Sequence, residues 1–186
     1  MVRPQREKLK GAIEVDETYV GGEKPGKRGR GADGKDIVLI AAEKDGKGIG
    51  RIRLKHIQDV TGKTLKGEIL SLINTPSTII TDGWSGYSKL NEKGYEHVVL
   101  LSYKGKGIGD DMLPRCHRVA SLFKRWVMGT LQGSFCSEHL QDYLDEFTFR
   151  FNRRKSASRG KLFYRLAQQA MQVEAVSYSE ITRHNI

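Results

Sequence analysis

The feature that most constrains the fold is one short stretch, residues 11–20, which reads Gly-Ala-Ile-Glu-Val-Asp-Glu-Thr-Tyr-Val. Its alternation predicts a β-strand, because successive side chains on a strand point to opposite faces. Ile13 and Val15 then lie on one face, which can join a core, while Glu14 and Asp16 lie on the other. Asp is a poor strand former, so Asp16 in mid-strand indicates a sheet edge, a solvated face or a functional site. For a lone Asp, a solvated acid is the commoner explanation.

The apolar pattern of the whole chain predicts a mixed α/β domain. At 186 residues the chain is long enough for one domain with a proper core and too short for two large ones. Apolar runs predict strands at residues 11–20, 36–43, 50–60, 77–81 and 95–103. Helical spacing predicts helices at residues 61–73, 114–128 and 161–173, and another along the apolar face from Leu140 to Phe151. Thr61 and Ser137 are the expected N-caps of two of these helices.

The charge is strongly positive, with 32 Lys and Arg against 22 Asp and Glu and a formal net charge of +10. Such an excess favours a polyanionic partner, nucleic acid first, although a basic surface can also serve membranes or solubility. Two loops, at residues 21–31 and 104–111, combine glycine with basic residues. In the first loop, Lys27, Arg28 and Arg30 fit either a solvated hairpin connection or an arm that follows a phosphate backbone.

The sequence gives no sign of a membrane or secreted protein. It contains no run of about 18 apolar residues, and its N-terminus lacks the apolar run of a secretory signal. Cys116 and Cys136 are too few and too far apart for a structural zinc site or a disulfide framework. We therefore expect a protein of the reducing cytoplasm, associated with the nucleoid when it is bound to DNA.

A second acid, Asp82, follows the β-branched run 78–81 at the C-terminal tip of a predicted strand, where α/β sheets present functional groups. If this strand neighbours the first, the carboxylates of Asp16 and Asp82 meet. Two hard oxygen ligands suit Mg²⁺ or Mn²⁺, and two such ions about 4 Å apart can promote phosphodiester cleavage. Trp84 and Tyr87, just beyond Asp82, are expected to pack over the sheet end, with stacking on a base beside a DNA channel as the alternative.

The helix predicted at residues 114–128 is amphipathic. Its apolar stripe runs from Val119 to Trp126, and at about 100° per residue His117 and Lys124 lie together on the opposite face. Basic side chains that could contact DNA on this and the next helix are Lys124, Arg125, Arg150, Arg153 and Arg154. The last three either bind phosphate or form a solvated helix end that the helix dipole favours.

Four blocks of the sequence carry a family resemblance. They read Val-Asp-Glu-Thr-Tyr-Val-Gly-Gly at 15–22, Thr-Asp-Gly-Trp-Ser-Gly-Tyr at 81–87, His-Arg-Val-Ala-Ser-Leu-Phe-Lys-Arg-Trp at 117–126, and Tyr-Leu-Asp-Glu-Phe with Phe-Arg-Phe-Asn-Arg-Arg between 143 and 154. In this order they resemble the DDE-type transposases of the insertion-sequence group numbered fifteen-ninety-five, the ISXO-two-like family. The resemblance covers residues 9–169, and four blocks make it more specific than any one of them.

The resemblance implies an RNase H-like (retroviral-integrase-like) fold, an α/β domain with a central mixed sheet of five strands flanked by helices. It also implies that Asp16 and Asp82 are the first two metal ligands. In such enzymes the third ligand, usually a glutamate, follows the second by about 34 residues and precedes a lysine by seven. His117 and Lys124 occupy these two positions here. Lys124 would accordingly contact terminal DNA.

His117 departs from the usual glutamate. Imidazole is a softer ligand than carboxylate, so His117 could favour Mn²⁺, could shuttle a proton, or could mark a weakened site. It could also be an ordinary solvent-facing histidine on a helix. The fallback third acids are Asp110, Asp111 and Glu146, although Glu146 borders an apolar face and could serve only to orient an arginine.

The activity implied by the resemblance is that of a DNA transposase. Two Mg²⁺ or Mn²⁺ ions would support phosphodiester hydrolysis at transposon ends and then strand transfer. The implied partners are DNA, at transposon ends and target, and at least a second copy of the chain. Two alternatives remain: an RNase H-like nuclease that cuts without joining, and a basic DNA-binding remnant with a weak or dead site.

The domain boundaries follow from the same resemblance. We expect an N-terminal linker at residues 1–10, the catalytic domain at 11–173 and a C-terminal tail at 174–186. Relatives carry a zinc-ribbon segment and a helix-turn-helix segment ahead of the catalytic domain, and this sequence contains neither. We therefore expect a truncated copy, an internal start or an excised domain, with end recognition the property most affected.

Overall fold

The computed structural model describes residues 6–21, 35–101, 112–132, 136–175 and 177–178. Its five strands are β1 (Leu9–Val20), β2 (Asp36–Asp45), β3 (Gly48–Ile57), β4 (Ile73–Asp82) and β5 (Glu96–Leu100). They form one sheet in the order β3-β2-β1-β4-β5. β1, β2 and β3 pair antiparallel, whereas β4 runs parallel to both β1 and β5. The predicted mixed sheet of five strands is confirmed, and the strand with the acidic face lies at its centre.

Helices cover both faces of this sheet. They are α1 (Gly62–Leu72), α2 (Pro114–Leu131), α3 (Leu140–Asn152) and α4 (Gly160–Ala170). One core forms where α1 packs on the face that carries Ile13 and Val15, and a second forms where α2 and α3 pack on the opposite face. α4 contributes no buried residue to either core. The alternation of β1 therefore directs Glu14 and Asp16 toward the side of α2. None of the described helices is long and apolar enough to cross a membrane.

The predicted bounds of several elements differ from the structure by a few residues, and the start of β4 differs most. β4 begins at Ile73, four residues before the predicted start, because Ile73 is buried and pairs with Leu9 before the register shifts. The prediction that Ser137 caps the next helix is wrong. Ser137 begins a 3-10 turn that leads directly into α3, and its hydroxyl donates to the carboxylate of Asp36 instead. Thr61 does cap α1, since its hydroxyl accepts from the backbone N–H of Thr64 at 3.4 Å.

Side-chain amides of α3 cover the backbone of the edge strand β3. The Asn152 amide accepts from the N–H of Ile52 at 2.8 Å and donates to the same residue's carbonyl at 3.1 Å. Gln141 repeats the pattern along the strand, because it accepts from the N–H of His56 at 2.9 Å and donates to the carbonyl of Leu54 at 3.5 Å. An exposed edge is a template for pairing with another chain. The two amides occupy that edge.

Replacing Asn152 with alanine should lower the free energy of unfolding by about 1–3 kcal/mol, because the backbone groups of buried Ile52 would lose their partner. Asn152→Asp keeps the acceptor and loses the donor. Its free energy of unfolding should lie between those of Asn152→Ala and the wild type. Urea unfolding measures both. Gln168→Ala on the exposed side of α4 is the control and should change stability by less than about 0.5 kcal/mol. Equal stability of Asn152→Ala and wild type would show that the amide contributes nothing at this edge.

Candidate active site

The sheet register brings Asp16 and Asp82 together. Glu14 pairs with Ile80 in the parallel ladder of β1 and β4, and continuing this register for two residues sets Asp16 level with Asp82. Both side chains then lie on the face that α2 covers, because alternate residues of a strand share a face. Neighbouring strands are about 4.8 Å apart, so the two carboxylates share one place on the sheet. The meeting of acids that the sequence allowed follows from the adjacency of β1 and β4.

The carboxylate of Asp16 lies in a crowded negative environment. Burial first, and then the charges of Glu17 and Asp82, raise its pKa from 3.8 to about 6 against the lowering effect of His117. Glu17 in turn accepts from the hydroxyl of Tyr87 at 2.7 Å. The carboxylates of Glu17 and Asp82 therefore lie close enough to Asp16 for their charges to raise its pKa, which is an electrostatic setting that favours a bound cation.

His117 lies against Asp16. Its Nε2 is 3.2 Å from Oδ2 of Asp16, and about half of its side chain (54%) remains exposed. Because His117 is the fourth residue of α2, its position depends on how the start of that helix is held. Lys124 lies two turns further along α2 and is exposed, as is Arg125. Partial burial lowers the pKa of Lys124, and the charge of Lys35 lowers it further.

The start of α2 is fixed to the sheet by Glu14, a residue to which the sequence assigned no role. Glu14 is 3% exposed and accepts from the backbone N–H groups of Arg115 at 2.7 Å and Cys116 at 3.2 Å. The Arg115 guanidinium also donates to Glu14 at 2.8 Å and to the carbonyls of Gly46 and Gly48 at 2.9 Å each. Glu14 thus serves as the N-terminal cap of α2, whose own flanking residue provides none. The signal in the sequence that could have indicated this role is that Glu14 is a second acid on the same face of the strand as Asp16.

Residues beyond Asp82 pack over the end of the sheet, as predicted. Asp82 Oδ1 accepts from the N–H of Trp84 at 3.0 Å, and the Trp84 indole donates to the carbonyl of Val60 at 3.2 Å. Tyr87 is fully buried and donates to Glu17. Tyr87 and Trp84 therefore support the loop that carries Asp82, and Tyr87 is not accessible for stacking on a base.

The remaining candidates lie apart from this centre or outside the described residues. Glu146 pairs with Arg150 at 2.7 Å, which agrees with the alternative that Glu146 serves to orient an arginine. Arg153 and Arg154 lie over the rings of Phe149 and Phe151 at 3.8 and 3.9 Å and donate to backbone carbonyls. Five candidates fall outside the described residues: Lys27, Arg28, Arg30, Asp110 and Asp111. DNA contact by any of these basic groups remains a prediction.

The donor set fits a hard divalent cation in type. Asp16 and Asp82 offer carboxylate oxygens, which Mg²⁺ and Mn²⁺ prefer, and such an ion would offset the burial and the neighbouring negative charge that raise the pKa of Asp16. Within the part of the chain that the structure describes, no group of three His, Cys, Asp or Glu side chains is arranged to hold an ion. Two carboxylates suit an ion that takes its other ligands from water and phosphate.

Comparison with known proteins gives a fold and a family. The catalytic core domain of BIV integrase covers 89% of this chain and 100% of its own, with a TM-score of 0.50 and 14% identity. A chain of the simian T-cell lymphotropic virus intasome in complex with PP2A regulatory subunit B56 gamma covers 80% of this chain and 52% of its own, with a TM-score of 0.45 and 11% identity.

The first likeness and the sheet order show that the fold is RNase H-like, as in retroviral integrase catalytic cores. No curated protein matches the chain. The family model described as the ISXO2-like transposase domain matches residues 8–152, which is most of the chain, and the protein therefore belongs to the ISXO2-like transposase family.

Proposed function

We propose that this chain is the catalytic domain of a DNA transposase, which hydrolyses phosphodiesters at transposon ends with a divalent metal and then transfers the cut strand to target DNA. The observation that supports the proposal is that the sheet register sets Asp16 level with Asp82 and that His117 contacts Asp16 at 3.2 Å, in a domain of a transposase family. The family supports nuclease-type chemistry in general. Metal dependence, end cleavage and joining are the finer steps that we propose.

Asp16 and Asp82 would hold the metal, with two ions expected. A bound ion would activate the attacking water and stabilise the leaving oxygen of the phosphodiester. His117 is exposed and in contact with Oδ2 of Asp16, so it can move a proton at that atom or add a nitrogen ligand on the solvent side. The attack is in line, first by water and then by a 3′-hydroxyl, with no covalent bond to the enzyme.

DNA binding would begin beside this centre. Lys124 and Arg125 are exposed on α2, and the net charge of +10 favours a polyanion over the whole surface. Lys35 lies close enough for its charge to lower the pKa of Lys124, so it is a further basic group beside Lys124. A second copy of the chain is the expected protein partner, since two transposon ends must be brought together before joining.

The test is nicking of supercoiled plasmid in Mn²⁺ at low salt, with wild type and Asp82→Asn compared. Loss of one carboxylate ligand should slow nicking by about 100-fold or more, because the charge stabilisation that an ion supplies is worth several kcal/mol. Asp142→Asn is the matched control, since its side chain is 82% exposed on α3, and it should nick at the wild-type rate. Equal nicking by wild type and Asp82→Asn would remove the catalytic claim.

Product analysis then separates the rival functions. Joined products from pre-cut transposon ends support a transposase, whereas cutting without joining supports an RNase H-like nuclease. DNA binding that weakens steeply with salt, with no metal-dependent cleavage, supports a DNA-binding remnant.

A further inference from the structure

A cavity of about 350 Å³ lies at the edge of the sheet beside β3, lined by α3, by α4 and by the residues before β1. Its volume is in the range of small-molecule sites. Arg53 of β3 pairs in register with Ala41, which pairs with Val15. Arg53 therefore lies on the sheet face opposite to Asp16 and two strands away, so the cavity is separate from the candidate active site.

Positive charge dominates the wall of this cavity. Its lining includes five arginines, Arg6, Arg51, Arg53, Arg153 and Arg165, against two carboxylates, Glu7 and Asp145. Glu43 adds a third carboxylate just behind the wall, where it binds Arg51 at 2.8 Å. Arg6 reaches Asp145 only at 3.5 Å. Five guanidinium groups thus share three carboxylates.

Arg53 is the buried member of this cluster. It is 7% exposed, and in the described part of the chain its hydrogen bonds go to the carbonyls of Ile52 at 2.9 Å and Glu7 at 2.7 Å. Burial first, and then the charges of Arg6 and Arg51, lower its pKa to about 10, although the charges of Glu43 and Asp145 act in the opposite direction. A buried cation that is bonded only to neutral carbonyls is costly, and an anion beside it would offset that cost.

Thr148 supplies a second, independent sign of a ligand. Its side chain lines the cavity and is 4% exposed, yet its hydroxyl has no hydrogen-bond partner among the described residues. Buried hydroxyls in proteins are nearly always bonded. A hydroxyl donor next to guanidinium donors is the arrangement that receives an oxyanion.

We propose that this arginine cavity binds a phosphate group, with Arg53 and Thr148 as the buried donors and Arg165 of α4 closing the outer side. The phosphate belongs either to the backbone of DNA that passes around the β3 edge or to free phosphate in solution. The DNA case rests on the proposed function. Phosphate binding itself does not, because no residue of the cavity belongs to the candidate active site.

The first experiment titrates inorganic phosphate into the full chain in EDTA, at constant ionic strength with chloride as the reference anion, and follows thermal unfolding and heat of binding. Phosphate should raise the melting temperature and chloride should not. Thr148→Val should weaken phosphate binding about 10-fold, the value of one hydrogen bond to a charged group. It should leave stability in phosphate-free buffer equal or higher, since the lost hydroxyl had no partner.

Two control variants separate a built site from general charge. Arg165→Ala should weaken phosphate binding, whereas Arg159→Ala, which removes the same charge from an exposed position just before α4, should not. Thr130→Val, at an exposed position of α2, should bind phosphate as the wild type does. The proposal is overturned if phosphate and chloride act alike, or if the cavity variants behave as their controls do.

The source of the phosphate is decided by repeating the titration with saturating duplex DNA. A DNA backbone phosphate predicts that bound DNA blocks the phosphate titration and that Thr148→Val and Arg165→Ala weaken DNA binding. Free phosphate predicts an unchanged titration and unchanged DNA affinity. Asp82→Asn should bind phosphate as the wild type does in either case. Phosphate binding can therefore be judged even if the catalytic proposal fails.

Discussion

Replacing Asp16 with asparagine should make the metal-free protein more stable at pH 8, by about 2–3 kcal/mol, while it abolishes metal-dependent nicking. In the folded protein burial raises the pKa of Asp16 from 3.8 to about 6. Above pH 6 the carboxylate is ionised at a place that disfavours its charge, and one pKa unit corresponds to about 1.4 kcal/mol. Asparagine has nearly the same shape without the charge, so it removes that penalty.

The sign of the pH dependence follows from proton linkage. Between pH 3.8 and about 6 the folded state keeps a proton on Asp16 that the unfolded chain has lost, so wild-type stability falls as pH rises through this window. The advantage of Asp16→Asn should therefore be full at pH 8, smaller at pH 5, and absent below pH 3.8. Urea unfolding in EDTA at three pH values measures this difference. Asp142→Asn, on an exposed side chain, should show no such trend.

Bound Mn²⁺ should make the wild type more stable than Asp16→Asn, which is the reverse of the order expected in EDTA. A ligand that binds only the folded state adds about 4.1 kcal/mol at about 1,000 times its dissociation constant, which exceeds the advantage of asparagine. Mn²⁺ should accordingly raise the melting temperature of the wild type and leave Asp16→Asn unmoved. A variant that is less stable than wild type at pH 8 in EDTA, or that is stabilised by Mn²⁺ to the same extent, would contradict the assignment of Asp16 as a ligand in a site of excess negative charge.

The sequence was sufficient to predict that Asp16 and Asp82 could meet, because strand patterns determine which residues share a face and where a strand ends. Asp16 and Asp82 needed only the adjacency of β1 and β4, which the structure supplies. The role of Glu14 could not be predicted in the same way. A strand pattern predicts that Glu14 is on the Asp16 face, but it does not indicate that the first turn of α2 covers that face and presents two backbone N–H groups to it.

The basic end of α3 makes contacts that the sequence did not lead us to expect. A cluster of arginines in a basic protein indicates DNA binding, which stays a prediction, and Arg153 and Arg154, just past the end of α3, lie over the rings of Phe149 and Phe151. Spacings of three and four residues place side chains together on a helix, so these contacts were open to prediction. The arginine cavity could not be predicted from the sequence, because it joins residues from β3, α3, α4 and the segment before β1, which meet only in the folded chain.

Replacing Glu14 with alanine should lower the free energy of unfolding by about 3–5 kcal/mol. The change removes the acceptor for two backbone N–H groups of α2 and leaves the Arg115 guanidinium, which is 14% exposed, without its carboxylate. Glu14→Gln keeps the shape and one acceptor oxygen and should cost about 1–3 kcal/mol. Thermal and urea unfolding measure both changes, and the glutamine variant should remain folded for kinetic work.

Glu14→Gln should also slow catalysis by the protein that remains folded, because Glu14 positions His117 through the start of α2. Glu43 provides a matched control, since it too accepts from two backbone N–H groups, those of Lys10 and Arg51, and from the Arg51 guanidinium. Glu43→Gln should destabilise the fold comparably and leave the nicking rate of folded protein unchanged at saturating DNA, whereas Glu14→Gln should lower that rate about 10-fold. Equal rates for the two variants would mean that Glu14 holds the fold and not His117. A selective loss would mean that the 3.2 Å contact between His117 and Asp16 is required for the chemistry.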